Sequence, residues 1–478
     1  MITFFVCLAL LVTAYFTYGR YLERVCRIDP AAEVPSKRLC DGVDYVPMPL
    51  WRTFLIQLLN IAGIGPIFGA IMGACFGPVA FLWITFGGIF MGAMHDFISG
   101  VILVRNDGLS IPEIIGRYLG GGARQFMRVF SVLLLILVGV VFLRSPASIL
   151  GEMIPAVSYW WWIAIIIIYY FVATLLPIDA LIGRIYPVFG VALLIMAVGV
   201  LVGIFTHTGW MPEITEAFTN HHPNHSLPIF PMLFITIACG AVSGFHATQS
   251  PMMARCIKNE RMGRRVFYGA MITEGIVAMI WAAAAIKYAG GYDELQQMLT
   301  AEGNSNPALV VNFICNDWMG GIGAILAILG VVAAPVTSGD TAFRCARLIA
   351  SDILKLRQDT IWRRLAVSLP LFVIAAVLMN VNFDILWRYF AWFNQTLSIF
   401  TFWALTVWLA RNGRNFIVTL LPALFMTAVC TSYILVAPEG FRLPQAAGVA
   451  GGIAAAMILG VLFFRWLKLF KANMHNVG

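Results

Sequence analysis

The chain has 478 residues, enough for two or three soluble domains, but 60% of them are apolar and only 11% are charged. Soluble domains hold about 45–50% and about 25%. So few charges cannot cover a globular surface, and a disordered chain would be charge-rich and apolar-poor. The chain reads as an all-α, polytopic membrane protein whose surroundings are the lipid bilayer. The net charge of +8 is no nucleic-acid footprint, because the basic residues lie between apolar runs and form no continuous stripe. The nine cysteines are odd in number and include no CxxC pair, which argues against a disulfide framework or a zinc site.

In chain order, the apolar runs predict thirteen transmembrane helices, near 3–21, 52–76, 78–104, 125–144, 160–176, 184–206, 229–255, 265–288, 321–348, 364–380, 385–410, 415–437 and 444–468. The first has no basic residues before it and reads as a retained span rather than a cleaved signal peptide. With the N-terminus outside and alternating crossings, 27 of the 31 Lys and Arg residues fall in cytoplasmic segments, and the C-terminus is cytoplasmic. The long outer loop, 207–228, carries His221, His222 and His225. Three histidines so close could bind a metal; a polar surface loop is the plainer reading.

Two spans are interrupted. The second contains Asn60-Ile-Ala-Gly-Ile-Gly-Pro-Ile67, where Pro66 lacks an N–H and Gly63 and Gly65 ease unwinding. The seventh contains Gly240, Ser243, Gly244, His246, Thr248, Gln249 and Ser250 in a run that must lie at membrane depth. Such a stretch must be buried in protein or line a cavity. These spans lie five helices apart and run in opposite senses, the mark of an inverted-repeat transporter. Half-helix N-termini would then face an anionic substrate group. Gly65, Gly69, Gly73 and Gly77 also form a small-residue packing stripe, and both readings can hold.

Ionisable residues at depth are costly and mark ion or proton paths. Glu274 in span eight and Asp340 in span nine are candidates, and Asp340 has Arg344 one turn on as a structural partner. His95-Asp96 lies close to the inner boundary, which favours a structural role. Thr337 and Ser338 beside a broken helix could hold sodium, or bond only to their own helix. Asn394, Gln395 and Thr396 lie deep in span eleven and could meet substrate.

These residues resemble the carbon starvation protein A family of bacterial inner-membrane transporters. The resemblance rests on Asp41-Gly-Val-Asp-Tyr-Val-Pro47, Ile61-Ala-Gly-Ile-Gly-Pro66, Gly92-Ala-Met-His-Asp-Phe97, the run Ala238 to Arg255, Thr337-Ser-Gly-Asp-Thr-Ala-Phe-Arg344 and Trp387-Arg-Tyr-Phe-Ala-Trp392. It implies uptake of peptides, or of small carboxylates such as pyruvate, when carbon is scarce; a pyruvate-specific or amino-acid symporter is the alternative, ahead of a channel or a membrane sensor. It also implies the LeuT-type five-plus-five core of the amino acid–polyamine–organocation superfamily. That divides the chain into a first helix and linker (1–50), a first repeat (51–206), an outer loop (207–228), a second repeat (229–412) and two final helices (413–478). The expected substrate contacts are Asn60, Gly63, Gly65, Ser243, Gly244, His246, Gln249 and Asn394. Sodium, the one ion expected as a cofactor, would sit on Thr337, Ser338 and the carbonyls of Ala62 and Gly65. Proton coupling would instead use Glu274, Asp340 or His246. A channel would need a ring of carbonyls or charges, and an enzyme a metal, GxSxG or phosphate-loop motif; the chain offers none of these.

Overall fold

The computed structural model describes all residues except 43–44, 176–177, 302–305, 359 and 476–478, so Val43 and Asp44 of the first quoted motif lie outside the described residues. The side chains of 174–185, Arg184 included, are likewise outside them. The fold is all-helical. Among the described residues, eight helices are long and apolar enough to cross a bilayer, or up to ten if each sharply bent pair counts as one span. Every expected range falls on a helix, but some of these helices are short or interrupted: Tyr159–Leu175 has 17 residues, and 229–255 is broken in the middle. The sequence also conceals three helices, Ile111–Leu119, Tyr292–Thr300 and Pro307–Leu326. None has the long uninterrupted apolar run by which a span is recognised.

Both expected interruptions are present. Leu50–Ile61 stops, and Gly65–Ala74 resumes after a bend of 56°. After a non-helical Phe230 the chain is helical to Thr236, leaves the helix over 237–243, and resumes as Gly244–Ala254. Gly240 sits at φ +91°, in the left-handed region where a side chain would strain the backbone.

The two breaks touch. A Cβ on Gly65 would lie 2.4 Å from the Cβ of Cys239, and one on Gly240 would lie 3.6 Å from the Cα of Pro66. Gly69 and Gly73 continue the contact, against the carbonyl of Thr236 and the side chain of Ile237. The small-residue stripe and the break therefore serve one crossing. Gly65→Ala should lower the stability of the purified chain by about 1–3 kcal/mol, the usual cost of forcing a methyl into a filled core. An unchanged thermal midpoint would show that the crossing is looser than described.

The loops gather at two opposite ends. At one end Arg105 pairs with Glu260 at 2.7 Å and, like Arg414, donates to the carbonyl of Cys26. Arg255 donates to the carbonyl of Gly108, and Ser36 to that of Ile257. At the other end Lys287 donates to the carbonyl of Ile204, Arg144 to that of Val381, and Arg388 pairs with Glu439 at 3.1 Å.

Candidate functional site

The half-helix Gly244–Ala254 starts in the bundle interior, and its first turn is enclosed. A Cβ on Gly244 would lie 2.4 Å from the carbonyl oxygen of Asn394 and 2.5 Å from the amide of Ser398. The helix Phe383–Arg411 thus packs directly on it. Asn394 also caps it: its amide oxygen accepts from the backbone N–H of Phe245 at 2.6 Å and from the Ser243 hydroxyl at 3.1 Å. Its amide nitrogen donates to the sulfur of Cys239 at 3.4 Å. A cap delivered by another helix satisfies an amide that the broken backbone leaves open.

One turn into the half-helix stands His246. Its Nδ1 bonds to Oδ2 of Asp96 at 2.8 Å, and its Nε2 lies 3.3 Å from a carboxylate oxygen of Glu274. The other oxygen of Asp96 bonds to Nδ1 of His95 at 2.9 Å. The His95 ring meets Phe402 edge-on, with centroids 5.0 Å apart. All four side chains are fully buried. Two carboxylates and two imidazoles are thus wired together by direct contacts. Unpaired buried charge is very costly, so the groups must share protons or cations among themselves.

The fold joins His95-Asp96, for which the sequence favours a structural role, to His246, with Asp96 bonded to both histidines. Asp340, by contrast, is not part of this group. It lies 3.9 Å from Arg344, in a cluster with Tyr170 and Tyr186.

Polar residues of the first broken span face the same half-helix. Gln57 Nε2 donates to Ser250 Oγ at 3.4 Å, and Ser250 in turn donates to the carbonyl of His246. Asn60 is 1% exposed, and neither its oxygen nor its nitrogen has a hydrogen-bond partner among the described residues. The amide oxygens of Gln57 and Gln249 are also unpartnered there, while Gln249 Nε2 donates to the Thr248 hydroxyl at 3.1 Å. Gln395 donates to the carbonyl of Phe234 at 3.2 Å, and the Thr396 hydroxyl is buried without a partner among the described residues. Gly63 packs under the Phe142 ring, and Gly65 against Cys239.

In the helix Ala333–Leu354, Ser338 Oγ reaches the carbonyl of Leu59 at 3.1 Å, and also that of Ala334. Thr337 bonds to the carbonyl of Ala334 at 2.7 Å within its own helix. Ser338 therefore meets the first broken span one turn before Ala62 and Gly65. The outer-loop histidines are tied down separately. His221 bonds to the carbonyl of Glu216 and stacks on Tyr292, while His222 packs on Phe76. Burial lowers the pKa of His222 to about 4, so it is neutral and its Nδ1 accepts from the N–H of Asn224. Among the described residues, the outer-loop histidines form no convergent ligand set.

Asp96, Cys239 and Gln57 escape sequence reasoning. The signal for Asp96 was present, a buried carboxylate beside a histidine inside an apolar run, but its partner is 150 residues away.

The family profile described as carbon starvation protein CstA matches residues 1–160 and 145–312. An uncharacterized membrane protein of Haemophilus influenzae is 40% identical over 63% of this chain and 95% of its own length. The pyruvate/proton symporter BtsT of Escherichia coli is 28% identical over 57% of this chain and 47% of its own. The peptide transporter CstA of Campylobacter jejuni is 29% identical over 63% of this chain and 51% of its own. The chain thus spans about half the length of these two transporters. Among solved structures, a manganese transporter of Eremococcus coleocola superposes with a TM-score of 0.53 at 14% identity, covering 90% of this chain and 99% of that one, a likeness of fold.

Proposed function

The chain belongs to the carbon starvation protein CstA family, and on that premise we propose that it is a secondary active importer of small carboxylates or short peptides, driven by protons. One observation carries this reading: the fully buried chain of Asp96, His246 and Glu274 at the mouth of a half-helix. A proton entering or leaving that chain changes the charge beside the broken helices. That gives protonation and substrate binding a shared electrostatic reason to favour one conformation. The relatives named for pyruvate–proton symport and for peptide transport support the substrate class. The protein is read as a carrier and not an enzyme.

In this reading the core is a five-plus-five inverted repeat, residues 51–206 and 229–412, within thirteen spans of the bacterial inner membrane. The end that holds Arg105, Arg255 and Arg414 faces the cytoplasm and the N-terminus faces outward. Asn60, Ser243, His246, Gln249 and Asn394 contact the substrate, near Gly63, Gly65 and Gly244 at the breaks. Its carboxylate displaces the Asn394 amide from the half-helix N-terminus, where the dipole favours an anion. Rocking of the two halves about this point gives alternating access. Sodium is the second reading, favoured by Ser338 bridging to the carbonyl of Leu59. The ion would sit among Thr337, Ser338 and the carbonyls near Ala62 and Gly65. Asp340, held beside Arg344, is the remaining proton candidate.

The test is uptake into proteoliposomes. Radiolabelled pyruvate and dialanine are offered under an inward proton gradient, an inward sodium gradient, or neither. Accumulation of one substrate under the proton gradient is expected. Sodium-driven accumulation would move the coupling to the Ser338 site. Failure of every gradient to concentrate either substrate would overturn the reading.

A further inference from the structure

We infer that Cys239, His246 and Glu274 form a binding site for a zinc ion. Each offers one ligand atom, all three residues are buried, and the three atoms lie within 4.8 Å of one another. Tetrahedral zinc with bonds of about 2.0–2.3 Å spaces its ligands about 3.3–3.8 Å apart. The set therefore needs to close by about 1.5 Å at most.

Orientation argues that these are ligands and not merely neighbours. Asp96 holds Nδ1 of His246, so Nε2 is the nitrogen turned toward Glu274 and Cys239. A carboxylate behind a histidine is the usual support of a zinc-bound imidazole. Nε2 and both oxygens of Glu274 form no aligned hydrogen bond with any described residue, although all are buried. The sulfur of Cys239 faces the amide of Asn394 at 3.4 Å and the hydroxyl of Ser243 at 3.7 Å. The Asn394 amide can donate to a thiolate, while the Ser243 hydroxyl gives its proton to Asn394 Oδ1. The mixture of sulfur, nitrogen and oxygen selects zinc over magnesium or calcium, which require oxygen ligands. On binding, Cys239 releases its thiol proton to solvent. Thiolate and carboxylate then neutralise the ion, and water fills the fourth position. Glu274 lies 28 residues beyond His246 and the set holds a single cysteine, so a search for paired cysteines cannot find the site.

The ligands come from the unwound stretch 237–243, the half-helix Gly244–Ala254 and the helix Arg264–Ala289. Zinc would lash the broken helix to its neighbour and stop it from moving. The site shares His246 and Glu274 with the proposed proton path, but zinc binding is read without transport, so failure of one leaves the other standing.

The experiment titrates zinc sulfate into the intact purified chain. Metal content is measured after desalting, and the shell by X-ray absorption at the zinc edge. About one zinc per chain is expected, with a single sulfur at about 2.3 Å and the remaining ligands nitrogen or oxygen. Cys239→Ser should remove that sulfur and weaken binding by at least about tenfold, the scale on which even supporting groups matter. The double variant His222→Ala, His225→Ala should bind as before. No zinc in the native chain would overturn the inference. So would a shell without sulfur, or loss of binding in the outer-loop variant. The sulfur signal of the unmutated chain decides the matter even if Cys239→Ser fails to fold.

Discussion

Glu274→Gln should leave the substrate ratio across a proteoliposome membrane near one, however large the imposed pH difference. A carrier that moves one proton with each substrate gains about 1.4 kcal/mol per pH unit, enough for about tenfold accumulation. That gain exists only if some group takes up the proton on one side and releases it on the other. Glu274 is fully buried and lies 3.3 Å from Nε2 of His246, with Cys239 close by. Glutamine keeps its size and much of its packing but cannot exchange a proton. The pair of His246 and Asp96 at 2.8 Å remains, so the fold should survive. Substrate exchange between equal pools, which needs no net proton movement, should continue. Asp340→Asn should accumulate normally, because Asp340 belongs to a different cluster. Full accumulation by Glu274→Gln, or its loss in Asp340→Asn alone, would move coupling away from His246.

Asn60→Leu should divide stability from transport. Asn60 buries a carbonyl and an amide that have no partner among the described residues. Leaving such atoms unpaired costs about 1–3 kcal/mol, and an apolar side chain of similar size removes the cost. The substituted chain should therefore be as stable as the native one, or more so. Uptake should fall because the substrate loses the contacts this amide reserves for it, and the loss should be larger in KM than in kcat if the contact is made equally throughout the cycle. A polar residue kept against the interest of stability is the expected sign of a binding site. If Asn60→Leu lowers the thermal midpoint and transports normally, Asn60 is a structural residue after all.

How much was legible in sequence follows from the range of each interaction. The breaks at Gly63–Pro66 and around Gly240 are local events, written in glycine and proline, and they stand where expected. The stripe Gly65, Gly69, Gly73 is also local, and only its partner at 236–239 had to be seen. Asn394 looked like a substrate ligand because it is a polar residue at depth. The fold adds a second duty, capping Phe245 across 149 residues of sequence. Asp96 was harder to read for the complementary reason: its position near the inner boundary suggested a structural role, and its partner His246 lies 150 residues away. The helix Pro307–Leu326 escaped because Asn312, Asn316, Asp317 and the Gly320-Gly321 pair interrupt its apolar pattern.

The contact between Gly65 and Cys239 has a mechanical meaning. Each interrupted rod leans on the other at its own weakest joint, with the Cys239 side chain seated on the bare backbone of Gly65. In the proposed carrier, tilting the inner arm of one would swing the outer arm of the other, as two levers do on a common fulcrum. A leak, with both entrances ajar together, would require the levers to part. The cheapest safeguard against it is the missing methyl group of one glycine.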